Sequence, residues 1–127
     1  MKSKTNRTKR ILVVDDEPVI SHVCQKVLMM QGFSVDVVAD GKKAIEKINA
    51  RPYNLCILDL RMPNINGFQL YQYLADNRPE LSRNVIFTTG DTTTHQVSDF
   101  IHGSETIYLE KPFTPAELIA AVEMALN

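Results

Sequence analysis

The sequence predicts a single α/β domain in which a parallel β-sheet carries helices on both faces. With 127 residues, the chain is long enough for one hydrophobic core but not for two. Five short apolar runs alternate with five segments in which apolar residues recur at helical spacing. Because short, continuous apolar runs are typical of strands buried on both faces, this alternation predicts a parallel sheet.

Each predicted element is bounded by local sequence signals. The predicted strands are residues 11–14, 33–38, 55–58, 85–89 and 106–109. The predicted helices are one that starts at Asp16-Glu17-Pro18 and stops at Gly32, then 41–50, 68–74, 93–102 and one opened by Thr114-Pro115. We expect Asp16 to cap the first helix. The apolar residues at helical spacing in this helix are Val19, Ile20, Val23, Val27 and Leu28.

The charge distribution divides the chain into a basic leader and an acidic body. Residues 1–10 contain five bases and no acid, whereas the remaining residues contain nine bases and 15 acids. An acidic body argues against direct nucleic-acid binding, since phosphate attraction requires a positive face. We expect residues 1–9 to form a flexible, solvated leader, with contact to nucleic acid or a membrane surface as the alternative, and residues 10–127 to form the domain.

Targeting signals and cysteine usage narrow the class of protein further. The sequence shows neither a membrane-spanning apolar run nor a signal peptide, so we expect a cytoplasmic protein that does not insert into membranes. Cys24 and Cys56 are expected to be buried free thiols, because two cysteines support neither a disulfide framework nor a zinc site.

Chemically active side chains follow the predicted strands. Asp15 and Asp16 come after the first strand, Asp59 after the third and Lys111 after the fifth, while Thr89 ends the fourth. The carboxyl ends of parallel strands share one edge of the sheet, where ligands bind. Three crowded carboxylates favour a divalent cation, and their hard oxygen ligands indicate Mg²⁺. With a lysine and a hydroxyl nearby, this set suits phosphoryl transfer to a carboxylate nucleophile.

Four segments in order resemble the motifs of the response-regulator receiver domain of two-component systems. They are residues 11–18 (ILVVDDEP), 58–63 (LDLRMP) with Gly67, 88–90 (TTG) and 111–113 (KPF). The resemblance extends over residues 10–126. It implies a flavodoxin-like (βα)5 fold with strand order 2-1-3-4-5, and a phosphoryl group received from a histidine kinase or a histidine phosphotransfer domain.

The resemblance also implies the roles of the residues at the sheet edge. Asp59 is expected to be the phosphoacceptor, and Asp15, Asp16, Asp59 and the backbone carbonyl of Arg61 are expected to hold Mg²⁺. Lys111, in a cis peptide bond with Pro112, is expected to contact the phosphoryl group.

A conformational switch is implied by the same resemblance. Thr89 and Tyr108 are expected to move on phosphorylation, whereas Thr88 points to the other side of the strand. Their movement would reshape the helix 4-strand 5-helix 5 face, which includes the fourth predicted helix (93–102) and is a possible homodimer surface.

Arg61 and Asp91 are expected to pair at the rim and to hinder the water that removes the phosphoryl group.

Several alternatives stay open on the sequence alone. Residues 102–111, together with 89–92, are similar to receiver modules of hybrid sensor histidine kinases, so the chain is either such a module or a stand-alone regulator. Asp16 could serve only as a helix cap. Functional rivals are a flavin-binding flavodoxin, a Mg²⁺-dependent phosphatase with an aspartate nucleophile, and a degenerate receiver that only binds partners.

Overall fold

A five-stranded parallel sheet forms the centre of the computed structural model, which describes residues 9–62, 64–90 and 107–127. The strands are β1 (Arg10–Val14), β2 (Ser34–Val38), β3 (Leu55–Asp59), β4 (Val85–Thr89) and β5 (Ile107–Glu110). All paired strands run parallel, in the order β2-β1-β3-β4-β5. The predicted α/β class and the flavodoxin-like strand order are therefore confirmed.

The described helices agree with the predicted ones apart from one addition. They are α1 (Pro18–Met30), α2 (Gly41–Ala50), α3 (Gly67–Asn77), α4 (Pro79–Ser82) and α5 (Pro115–Leu126). The short α4 was not predicted, because Pro79 reads equally well as the stop of α3 and as the first residue of a new turn. The fourth predicted helix (93–102) and the basic leader up to residue 8 lie outside the described residues.

Side-chain caps fix the starts of three helices but not that of α1. Asp40 accepts a hydrogen bond from the Lys43 amide at the start of α2, and reciprocal capping boxes open α3 and α5. The expected cap at Asp16 is wrong, because α1 starts one residue later with Glu17 as its N-cap. The Glu17 amide instead donates to Asp15 Oδ1 over 2.8 Å, so the terminus is tied to the aspartate that follows β1.

Apolar clusters cover both faces of the sheet. One cluster joins the sheet to α2 and α3, and the other joins it to α1 and α5. Cys24 and Cys56 lie in these two clusters as buried free thiols, as expected. Burial raises the pKa of the Cys56 thiol. The pKa of the Cys24 thiol is raised to about 12, chiefly by burial and further by the charge of Asp15, while Lys111 lowers it. Both thiols are therefore unreactive at neutral pH.

The buried face of α1 agrees only in part with the predicted apolar stripe. Leu28 is buried, and Ile20 and Val27 pack against the same cluster. Val19 is instead 73% exposed and Val23 37% exposed, while Ser21 and Cys24 are buried. Helical spacing fixes the period of an apolar stripe, but the rotation of the helix about its axis depends on how the preceding turn enters it. None of the helices in the described residues combines the length and apolarity needed to cross a membrane.

Backbone hydrogen bonds beyond the strand ends hold the carboxyl edge together. The Leu60 amide donates to the Thr88 carbonyl over 3.0 Å, and the Lys111 amide donates to the Thr89 carbonyl over 2.7 Å. The residues that follow β3 and β5 are thus placed beside the end of β4. As a result, side chains distant in sequence converge at one edge of the sheet.

Replacing Gly67 with alanine tests how tightly α3 packs beneath this edge. A Cβ at Gly67 would lie 2.6 Å from the Asp59 carbonyl oxygen and 2.8 Å from Leu60 Cα. Alanine normally stabilises a helix relative to glycine, but this clash with backbone atoms should dominate. We expect Gly67→Ala to lower the free energy of unfolding by about 1–3 kcal/mol in urea titrations.

Gln72→Ala provides the control, since it also adds alanine to α3 but at an exposed position. A Gly67→Ala variant as stable as the control would contradict the close packing of α3 against the end of β3.

Candidate functional site

The Lys111 ammonium is the centre of a carboxylate cluster at the carboxyl edge of the sheet. Its Nζ lies 2.6 Å from Glu17 Oε1, 2.9 Å from Asp15 Oδ2 and 3.3 Å from Asp59 Oδ2. Asp15 and Asp59 are each only 3% exposed, whereas the side chain of Glu17 is 57% exposed. The structure therefore brings together three residues that the sequence predicted, Asp15, Asp59 and Lys111, and adds Glu17.

Backbone amides orient both buried aspartates toward the lysine. Asp59 Oδ1 accepts a hydrogen bond from the Arg61 amide over 3.0 Å, and Asp15 Oδ1 accepts one from the Glu17 amide. In each case the second carboxylate oxygen is the one that faces Lys111. Since one oxygen of each aspartate is held by the backbone, the other has a defined position for a ligand.

Burial sets the protonation behaviour of the two central groups. The pKa of Asp59 is raised to about 6, chiefly by burial and further by the charge of Asp15, against the lowering effects of the Arg61 amide and of Lys111. For Lys111, burial favours the neutral amine, but hydrogen bonds to Glu17 and Asp15 and the charge of Asp59 outweigh it and raise its pKa. At neutral pH the site therefore contains an ionised Asp59 and a charged lysine.

The donor set fits a hard divalent cation. Asp15, Glu17 and Asp59 each offer a carboxylate oxygen, and these oxygens all lie within 4.8 Å of one another. Oxygen ligands of this kind are the ones that Mg²⁺ prefers. Asp16, which the sequence also assigned to the metal, is exposed and does not belong to this group of atoms. Its role as a ligand stays a prediction.

Glu17 was missed as a site residue by the sequence analysis. It was taken only as part of the start of α1, since a glutamate next to a proline is common at a helix terminus. The available signal was its position two residues after Asp15, within the same turn. That position places its carboxylate beside the lysine that follows β5.

Thr88 and Thr89 are both completely buried at the end of β4. Thr89, the predicted switch residue, pairs with Glu110 of β5, and its carbonyl accepts the Lys111 amide. Thr88 pairs with Asp59 of β3, and within the described part of the chain its hydroxyl has no hydrogen-bond partner. Alternation along the strand places the two hydroxyls on opposite faces of the sheet, as expected.

The remaining predicted positions lie around the site. Tyr108 is 39% exposed in this structure, and Arg61 is also exposed. The peptide bond between Lys111 and Pro112 is cis, as the resemblance implied. Asp91, the predicted partner of Arg61 at the rim, lies outside the described residues.

Comparisons of sequence identify relatives over nearly the whole chain. Residues 11–123 match the family described as the response regulator receiver domain. The response regulator ArlR of Staphylococcus epidermidis is 32% identical over 118 residues, covering 92% of this chain and 52% of ArlR. The DNA-binding response regulator MtrA of Mycolicibacterium smegmatis is 33% identical over 119 residues, covering 94% and 51%. The chain thus spans about half the length of the curated relatives it matches.

Solved structures share the same fold. A CheY-like response regulator receiver domain protein from Methanospirillum hungatei JF-1 superimposes with a TM-score of 0.81 at 28% identity, covering 93% of both chains. The response regulator protein TrrA of Thermotoga maritima, in complex with Mg(2+)-BeF, gives a TM-score of 0.79 at 32% identity, covering 93% of this chain and 99% of that one.

The raised pKa of Asp59 predicts that its charge destabilises the metal-free protein. Because the folded state holds the Asp59 proton more tightly than the unfolded state, stability falls as the pH rises from about 4 to about 6. We expect Asp59→Asn to raise the free energy of unfolding by about 1–2 kcal/mol at pH 7.5 in EDTA, after allowance for partial solvation. The gain should shrink as the pH falls through this range.

Urea titrations at several pH values measure the effect, with Asp76→Asn, at an exposed position on α3, as the control. A pH-independent difference, or a destabilised Asp59→Asn protein at pH 7.5, would show that Asp59 does not carry an unfavourable charge.

Proposed function

The chain belongs to the response regulator receiver domain family, and we propose that Asp59 is the side chain on which it accepts a phosphoryl group. Phosphorylation by a kinase is the general role of this family. The observation that carries the proposal is the placement of Asp59, with one oxygen held by the Arg61 amide and the other facing Lys111. This carboxylate is ionised at neutral pH, as a nucleophile must be.

The proposed reaction is transfer from a phosphohistidine of a histidine kinase or a histidine phosphotransfer domain. An Asp59 oxygen forms a bond to phosphorus while the phosphorus–nitrogen bond to the donor imidazole breaks. The imidazole nitrogen leaves with the electron pair and takes up a proton, and Asp59 becomes an acyl phosphate. Lys111, already 3.3 Å from Asp59 Oδ2, is placed to contact the phosphoryl oxygens.

We further propose that Asp15, Asp16, Asp59 and the Arg61 carbonyl hold Mg²⁺. The carboxylate oxygens of Asp15 and Asp59, which lie close together in the cluster, support their part of this assignment. The Mg(2+)-BeF complex of TrrA, which is related at 32% identity, supports Mg²⁺ as the cation. A bound divalent cation would offset negative charge on the phosphoryl group. Apart from its own phosphorylation and dephosphorylation, we propose no enzymatic activity for the domain.

Phosphorylation adds one to two negative charges beside the buried end of β4. We propose that Thr89 and Tyr108 then rearrange and change the face formed by the fourth predicted helix (93–102), β5 and α5, which a partner or a second copy of the chain recognises. MtrA is named as DNA-binding, but this chain matches only about half of it. For the domain itself we propose no direct nucleic-acid contact, because acids outnumber bases after residue 10.

Three rival functions fit the site less well. A flavodoxin needs donors that attract the flavin phosphate, whereas Asp15, Glu17 and Asp59 would repel it. A Mg²⁺-dependent phosphatase with an aspartate nucleophile needs an acid two residues past that nucleophile, and this chain has Arg61 there. A degenerate receiver is disfavoured because Asp15, Asp59 and Lys111 are in contact.

Labelling with acetyl phosphate tests the phosphoacceptor directly. We expect the wild-type protein to take up one phosphoryl group in the presence of Mg²⁺, as measured by intact-protein mass spectrometry. Asp59→Asn should not be labelled, because an amide lacks the nucleophilic oxygen, whereas Asp76→Asn should be labelled like the wild type. Equal labelling of the Asp59→Asn protein would refute the assignment.

The proposed pair of Arg61 and Asp91 is tested through the lifetime of the phosphoryl group. If the pair hinders the attacking water, replacing both residues with alanine should accelerate dephosphorylation by up to about fivefold, the range expected for an exposed ion pair. Phosphate release after removal of acetyl phosphate gives the rate. An unchanged rate would rule out this role.

A further inference from the structure

The shortest contact in the site is made by a residue that lies outside the proposed phosphoacceptor and metal ligands. Glu17 Oε1 is 2.6 Å from Lys111 Nζ, closer than the oxygens of Asp15 at 2.9 Å and Asp59 at 3.3 Å. An ammonium has three N–H donors, and here three carboxylates face it. Lys111 can therefore contact a phosphoryl oxygen fully only when one of these carboxylates gives up its place.

The three carboxylates differ in how easily they can be exchanged. Asp15 and Asp59 are buried, and the Oδ1 atom of each is held by a backbone amide. Glu17 is 57% exposed, so its carboxylate can turn into water, where its charge is well solvated. Glu17 is thus the partner that Lys111 can release at the smallest cost.

We propose that Glu17 is a positioning residue that holds the Lys111 ammonium at the rim of the site and competes with the phosphoryl group for it. The proposal rests on the function proposed above. In the metal-free protein, Glu17 draws the ammonium away from Asp15 and Asp59, which leaves their oxygens more available to a cation. Once a phosphoryl group is present, its oxygens compete with Glu17 for the same ammonium.

Removal of the Glu17 charge should therefore weaken the binding of a cation and strengthen the binding of an anion at Asp59. Without Glu17, Lys111 pairs more fully with Asp15 and Asp59 and competes more strongly with a cation. The ammonium is at the same time free to bind an anion at Asp59. A purely structural role for Glu17 would instead weaken the binding of both ligands, because both need an intact site.

The experiment measures both affinities in the full chain. Calorimetry gives the Mg²⁺ affinity in the absence of anion, and amide NMR gives the affinity for beryllofluoride at saturating Mg²⁺. We expect Glu17→Gln to weaken Mg²⁺ binding about two- to fivefold and to tighten beryllofluoride binding by a similar factor, as expected for loss of one largely exposed ion pair. Unchanged beryllofluoride affinity, or weaker binding of both ligands, would overturn the proposal.

Two further variants separate contact from charge. Glu46→Gln removes an exposed carboxylate on α2 and should leave both affinities unchanged. Glu17→Asp keeps the charge but shortens the side chain by one methylene, so it should loosen the contact and tighten beryllofluoride binding as Glu17→Gln does. A wild-type beryllofluoride affinity in Glu17→Asp would mean that charge alone acts, and would overturn the contact proposed here.

Comparison of the wild-type protein with Asp59→Asn separates a failure of the proposed function from a failure of the proposal for Glu17. If the wild type fails to bind beryllofluoride in Mg²⁺, the proposed function fails and this inference fails with it. If the wild type binds, Asp59→Asn does not, and Glu17→Gln matches the wild type, only the inference about Glu17 fails.

Discussion

The site depends on one ammonium group that is shared by three carboxylates. Asp15, Glu17 and Asp59 have oxygens within 4.8 Å of one another, and each like-charge pair at such a distance costs roughly 3–4 kcal/mol at an effective dielectric of about 20. Lys111 offsets this repulsion only in part, because one positive charge faces three negative ones. When all four groups are ionised, a net charge of −2 remains, which a divalent cation would neutralise.

The fold explains why this crowding persists. Asp15 follows β1 and Asp59 ends the adjacent parallel strand β3, so the register of β1 with β3 fixes their spacing. Backbone hydrogen bonds tie Leu60 and Lys111 to the end of β4, and α3 packs so closely that Gly67 leaves no room for a Cβ. Asp15 and Asp59 cannot move apart without breaking the sheet edge, so the stability of the core maintains an electrostatically unfavourable pair.

The strand order and the positions of Asp15, Asp59 and Lys111 could be predicted because they follow from strand ends and from the motifs. What could not be predicted depends on geometry within a single turn. The rotation of α1, which exposes Val19, is set by the turn that precedes Pro18. The contact of Glu17 with Lys111 depends on side-chain conformations that spacing does not determine. For this reason the sequence indicated only a helix start at Glu17, although among the three carboxylates its oxygen lies closest to the lysine.

Burial divides the residues of the site into two groups with different consequences. Asp15 and Asp59 are almost fully buried, and Lys111 is 10% exposed, so their substitution alters folding and chemistry together. Glu17 and Arg61 are exposed, so their side chains can change with little effect on the core. Under the proposed function, an exposed group that contacts the buried lysine, as Glu17 does, would adjust how strongly the lysine holds an anion while the buried residues stay the same. If the domain is phosphorylated as proposed, this physical separation would allow the lifetime of the phosphorylated state to vary independently of the fold.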